Sequence, residues 1–387
     1  MKPMPIAMAY DPYESFLAKR IFSVLALTSI FLSCVAWSIR STISGLGANA
    51  KSGMNIRHGS ISLASLGEAP LFDPNEPDPW KRDLYQRLDQ VRTSCGALCA
   101  INDADSFQRY TTGDGPLFRT IEVPVDCDAI MMEETIDVTD TTIPFPLPEE
   151  LLRYFAMENM IPIVMQQKLD DVVLDDQQRV WSEGIIEQYR QRAQNPQEEL
   201  MPPFHWTSRF REAIERHIPV NGKQILVMGS SKSAVPWVEG LLLHLGASHV
   251  TTLVDANIVS EHPRVTTMTS RQLRAGYRKR QLTAFDAVVS YSSLDHEGLG
   301  RYGDSLNPWA DLIATARARC ITKKGGHLAV AVPTGHDNIR FNLERKYGGL
   351  RYPLLGANWM QVDGDKELLN NDAEAMAFHP TFVFQNP

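Results

Sequence analysis

Between Gln224 and Pro333 the apolar positions come in short runs, each followed by small, hydroxylated or acidic residues and then by a helical pattern. The runs are QILVM, HVTTLV, FDAVVSY and HLAVAV. Such uninterrupted runs predict buried parallel strands, and the 3.6-period stretches between them predict crossover helices. The second run ends at Asp255, a short third run stands at VTTM before Thr269, the fourth, FDAVVSY, leads into Ser290 to His296, and the fifth, HLAVAV, ends at Pro333. On open sheets of this kind ligands bind at the carboxyl ends of the strands. The chemistry is therefore expected near Gly229, Asp255, Ser290 to His296 and Pro333.

Upstream the pattern changes three times. Ile21 to Ile39 carries no charge and follows Lys19 and Arg20. At about 1.5 Å per residue it is long enough to cross a hydrocarbon core of roughly 30 Å. It is predicted to be a single transmembrane anchor (21–39) behind a cytosolic tail (1–20). Lys19 and Arg20 against the lone Arg40 favour a body on the luminal side, giving a type II protein of the endoplasmic reticulum or Golgi. A cleaved signal peptide ending near Ala36 and a buried helix are the competing readings. Residues 40–78 are rich in Gly, Ser, Ala and Pro and read as a flexible stem. Residues 79–200 read as a mostly helical accessory region. Its first helix is capped by Asp78, begins at Pro79, shows Leu84, Leu88 and Val91 on one face and stops near Gly96. Further helices are expected over PLPEELLRYFAMEN and over DQQRVWSEGIIEQYRQRA, the latter with Val180, Ile185, Ile186 and Tyr189 inward. Residues 201–387 form the α/β sheet domain.

The 387 residues are 43% hydrophobic and 22% charged, with a net charge of -8. That composition is globular and argues against nucleic acid as a partner. The basic run Arg271 to Gln281 reads as a solvated helix face. Outside the anchor, with its Cys34, stand Cys95, Cys99, Cys127 and Cys320. They can pair in an oxidising lumen or remain buried thiols. No Asn-x-Ser/Thr acceptor occurs.

The turn after the first strand offers Gly229, Ser230, Ser231 and Ser233 before a helix starting near Pro236, where free amides would receive an anionic or carboxylate-bearing group. Asp255, one helix and one strand later, is placed to accept both hydroxyls of a ribose, or else caps its own turn. Ser290 joins them as a cofactor-side residue. Asp295 and His296, His336 and Asp337, and Arg301, Asp304 and Arg345 gather on the loops after the fourth and fifth strands. His296 has the intrinsic pKa of a general base, with Asp295 or Asp337 to orient it. Arg301, Arg345 and Arg351 are candidates to hold an anionic acceptor. No metal ligand set is predicted.

The VMGSS turn, LVD, FDAVVSYSSLDH and KKGGHLAVAVP resemble class I S-adenosylmethionine-dependent methyltransferases. The resemblance implies a Rossmann-like sheet, S-adenosylmethionine as cofactor, and methylation of a hydroxyl on a small-molecule or glycan acceptor. SSLDHEGLGRYGDSLNP and VPTGHDNIRFNLERKYGGLRYPLL are similar to an uncharacterised eukaryotic family, domain of unknown function 268, first described from nematodes. The first turn departs from the methyltransferase pattern by holding one glycine, with Ser231 and Ser233 where smaller residues are usual. After the third strand, Thr269 and Ser270 replace the acidic residue that often reads the adenine. Three other readings compete. A luminal glycosyltransferase would use an Asp-x-Asp pair such as Asp103 and Asp105, Asp126 and Asp128, or Asp363 and Asp365. A non-catalytic Rossmann-like protein would only bind. A nicotinamide-dependent enzyme lacks its G-x-G-x-x-G.

Overall fold

A computed structural model describes residues 69–115, 118–134, 146–165, 179–201, 207–230, 235–254, 258–364 and 379–387. The predicted tail, anchor and most of the stem lie outside them. Among the described residues no helix is long and apolar enough to cross a membrane.

The accessory region opens with α1 (Pro79–Cys95), where the Asp78 carboxylate accepts the N–H of Trp80 and Gly96 forms the C-cap. Leu84, Leu88 and Val91 are buried as their spacing predicts. There follow α2 (Ala104–Tyr110), the hairpin β1 (Thr111–Asp114) and β2 (Arg119–Ile121), α3 (Cys127–Met132), α4 (Glu149–Phe155) and β3 (Ile163–Met165). The last expected helix is split. Residues β4 (Arg179–Trp181) run extended, and α5 (Glu183–Arg192) starts only after the Ser182 cap. Val180 is therefore 50% exposed, not inward. Its β-branched neighbourhood pairs in parallel with a later strand, and the serine hydroxyl offers the helix start the sequence lacks before it.

The sheet domain comprises α6 (Thr207–His217), β5 (Gln224–Ser230), α7 (Trp237–His244), β6 (His249–Val254), β7 (Ile258–Ser260), β8 (Val265–Met268), α8 (Ser270–Arg278) and β9 (Phe285–Tyr291). It continues through α9 (Ala310–Ile321), β10 (Thr322–Ala331), β11 (Asn338–Phe341), β12 (Glu344–Lys346), α10 (Arg351–Leu355), β13 (Met360–Asp363) and β14 (Thr381–Gln385). Seven strands form the main sheet in the order β13-β14-β10-β9-β5-β6-β8. The five from β10 to β8 are parallel, and β14 runs antiparallel between β10 and β13. Strand order reverses between β5 and β9, the place where doubly wound sheets open a crevice.

Alternate residues of each strand enter opposite cores. Leu226, Val288, Leu328, Val330, Phe382 and Phe384 pack with α1, α3, α4, α8 and α9. Ile225, Val227, Ala287, Val289, Ala329, Ala331 and Val383 pack with α5, α6 and α7. The period of two explains the apolar runs, since a strand covered on both faces has no polar side. Disulfides Cys95–Cys99 and Cys127–Cys320 pair the four cysteines of the described residues, the second tying α3 to α9.

Candidate functional site

At the carboxyl end of β5, Gly229 has φ +83. A Cβ built there would stand 1.6 Å from the Ser293 Oγ. The loop after β9 thus closes against the turn after β5, and the bare face of Gly229 is taken by a serine side chain. The turn into that loop is sharp: Ser292 has φ +47, and its N–H donates to Ala331 at 2.9 Å. Ser231, Ser233 and Asp255 lie outside the described residues, as does the side chain of Ser230. Thr269 accepts the N–H of Gln272 as the cap of α8.

The fourth-strand loop holds the largest group of candidates. Asp295 is fully buried, and its carbonyl accepts the Arg345 N–H at 2.8 Å. Neither carboxylate oxygen has a hydrogen-bond partner among the described residues. Oδ2 lies 3.2 Å from Nε2 of His296, an ion-pair distance without hydrogen-bond alignment. The other ring nitrogen of His296, Nδ1, donates to the Leu343 carbonyl at 2.5 Å, and the ring stands edge-on to Tyr302. Asp295 and His296 are thus brought together as their adjacency suggests.

The remaining polar candidates are bound into the scaffold. The Asp337 carboxylate accepts the N–H groups of Gly348, Leu350 and Arg351 at 2.8, 2.8 and 3.0 Å. Asp304 accepts those of Gly300 and Tyr302 at 3.2 and 3.3 Å, and burial raises its carboxyl above the usual range. Arg345, fully buried, donates to the carbonyls of Glu297 and Asn307. Arg351 clamps Asp311 at 2.8 and 2.5 Å, where Tyr347 also donates at 3.0 Å. Two arginines hold the Asp311 carboxyl down against the opposing effect of burial. Arg301 lies over the Tyr302 ring. His336 stands on the loop after β10, where its carbonyl accepts from Asn338. These side chains order the loops that carry Asp295 and His296.

His379 escapes the sequence reading. It stands just before β14, two residues ahead of Thr381, and only the sheet register brings it to the rim. Thr381 pairs with Ala331, and Ala331 with Tyr291, so three strand ends share one row. His379 is 8% exposed, its ring centre is 5.8 Å from that of Tyr291, and neither ring nitrogen has a hydrogen-bond partner among the described residues. Burial lowers its pKa. Thr381 Oγ1 is likewise buried with no partner among the described residues, and Ser290 Oγ is so on the opposite face of the sheet. Buried polar groups are normally satisfied, so a cluster of orphans marks a place where a ligand or water completes the bonding. Beside it, Phe210, Trp237 and Tyr291 pack edge to face, with centroids 5.0 to 5.9 Å apart.

The glycosyltransferase motif is otherwise employed. Asp103 and Asp126 cap α2 and α3, and Asp363 lies 2.7 Å from His217. No group of three or more metal-binding side chains occurs among the described residues.

Residues 222–382 match the family described as Caenorhabditis protein of unknown function, DUF268. The solved structures most similar in fold include class I methyltransferases, as the sequence resemblance implies. The N-methyltransferase NodS of Bradyrhizobium japonicum WM9, in complex with S-adenosyl-L-homocysteine, is 13% identical. The match covers 53% of this chain and 100% of that one, with a TM-score of 0.30. Fibrillarin of Aeropyrum pernix, with natively bound S-adenosyl-L-methionine, is 12% identical over 43% of this chain and 68% of its own, with a TM-score of 0.27. Fibrillarin of Methanococcus jannaschii, a pre-rRNA processing protein, is 15% identical over the same shares, with a TM-score of 0.28. No curated protein matches the chain.

Proposed function

We propose that this chain is an S-adenosylmethionine-dependent methyltransferase acting on a hydroxyl of a small-molecule or glycan acceptor. The observation that carries the reading is the set of buried polar side chains that have no hydrogen-bond partner among the described residues, Asp295, His379 and Thr381, at the carboxyl rim beside the strand-order reversal. Orphaned donors and acceptors there fit a polar ligand, and the rim is where this class of sheet binds one. Asp255 would hold the ribose hydroxyls, and the amides of Ser230, Ser231 and Ser233 the carboxylate of the cofactor's amino-acid end. Bound, the cofactor supplies an electrophilic methyl group. The chain's own part is then to align the acceptor oxygen, exclude water and remove a proton.

We place the sheet domain in the lumen of the endoplasmic reticulum or Golgi, behind a single anchor at residues 21–39. What supports this is the pairing of Cys95 with Cys99 and of Cys127 with Cys320, bonds that persist in oxidising compartments. A second reading, a non-catalytic binding protein, is favoured by one contact: Ser293 occupies the face of Gly229 that a close-lying cofactor would use. Equilibrium dialysis of the full chain against radiolabelled S-adenosylmethionine tests the choice. Saturable binding that Asp255→Ala removes supports the enzyme. Retention of label by neither protein supports the binding module.

A further inference from the structure

His296 is the histidine that adjacency to Asp295 singles out, yet its ring is already engaged. Nδ1 donates to Leu343, and Nε2 faces the Asp295 carboxylate at 3.2 Å. His379 has no partner at either nitrogen among the described residues, stands at the same rim, and touches Tyr291 at the end of β9. A base must present a free lone pair in a dry place, and a buried, unbonded imidazole is such a group. Resting on the methyltransferase reading above, we infer that His379 takes the proton of the acceptor hydroxyl.

Burial keeps the ring neutral and so able to accept. The charged groups that face it are Asp295 and Glu344, which favour the protonated ring, and His296, which opposes it. The step balances. The hydroxyl proton passes to a ring nitrogen as the oxygen–carbon bond forms. The carbon–sulfur bond breaks with its electron pair on sulfur, so the sulfonium charge reappears as imidazolium. That proton then leaves to solvent.

The test uses the full chain in detergent, as wild type, His379→Gln and His296→Gln. Thermal scans with S-adenosylmethionine establish binding in each. Nitrogen-15 spectra of the histidine rings identify His379 by its loss in His379→Gln, and are followed against pH. Methyl transfer from tritiated S-adenosylmethionine is read on methyl glycosides as the hydroxyl probe. We expect the His379 ring to titrate below the ordinary histidine value. We also expect His379→Gln to keep the thermal shift and lose about 100-fold or more of transfer. His296→Gln should lose less and leave the pH limb of the rate in place. If wild type binds the cofactor while His379→Gln transfers normally, or the His379 nitrogens prove hydrogen-bonded within the protein, the inference fails and the methyltransferase reading survives. The absence of transfer from wild type to any methyl glycoside would overturn the role given to His379 on glycan hydroxyls. Absence of cofactor binding in wild type overturns both.

Discussion

Ser293 places its hydroxymethyl group in the space that a side chain at Gly229 would need, with Oγ 1.6 Å from the position of an added Cβ. The contact joins the loops on either side of the strand-order reversal. It also explains why this turn keeps a glycine when its neighbours are serines: the backbone sits at φ +83 and the approach is too close for any other residue. Gly229→Ala should therefore destabilise the domain by about 2 kcal/mol or more. Adding Ser293→Gly should recover part of that loss, because it removes the clash and leaves the backbone strain. Denaturant unfolding of the two variants measures both. Full stability in Gly229→Ala would remove the contact from the account.

The Asp311 carboxylate is buried between Arg351 and Tyr347. Removing Arg351 takes away both of its hydrogen bonds to Asp311 and leaves Arg345 at 3.9 Å as the remaining countercharge, so the cost stays below the roughly 3–5 kcal/mol of an uncompensated buried charge. Arg351→Met is expected to lower the denaturant midpoint accordingly. A variant as stable as wild type would return Arg351 to the acceptor-binding role its sequence position suggests.

Glu239 on α7 is 1% exposed, and the Thr252 hydroxyl donates to it at 2.7 Å. Burial is the largest influence and raises its carboxyl to about 7. With the folded value above the unfolded 4.5, the native state binds the extra proton, so stability is highest below pH 4.5 for this group and falls as pH rises toward 7. Glu239→Gln keeps an acceptor for Thr252 and cannot ionise. It should flatten that part of the pH–stability curve and gain up to about 3 kcal/mol at pH 8. Unchanged pH dependence would contradict the assignment.

Cys127 and Cys320 are 193 residues apart in sequence. Closing so long a loop restricts the unfolded chain by about 5 kcal/mol in the chain-entropy account. The Cys127→Ala, Cys320→Ala double variant should unfold at a clearly lower temperature. Cys95→Ala with Cys99→Ala, which opens a loop of a single turn, should cost less. Equal effects would mean the long bond does not act through loop closure.

The main strands were legible because β5, β6, β9 and β10 are covered on both faces and so write continuous apolar runs. The helix α1 was legible from its Asp-Pro start and Gly stop. Edge elements were not. The β14 strand, TFVFQ, is five residues long and reaches its neighbours only by threading back between β10 and β13, a pairing no local pattern encodes. His379 was missed with it. Asp295 and His296 were found because adjacency alone brought them together. Asp337, Asp304 and Arg345 have the same chemistry as catalytic groups, and only their hydrogen bonds reveal them as supports for backbone and loop.

Thermal unfolding of the full chain reads directly whether the rim between β5 and β9 receives S-adenosylmethionine. A native-state ligand at a hundredfold excess over its Kd adds about 2.7 kcal/mol of stability, a rise of a few degrees in Tm. The account predicts that rise with S-adenosylmethionine and S-adenosylhomocysteine, and its loss in Asp255→Ala. No shift at millimolar concentrations of either, with a shift from a uridine diphosphate sugar and manganese, would contradict it.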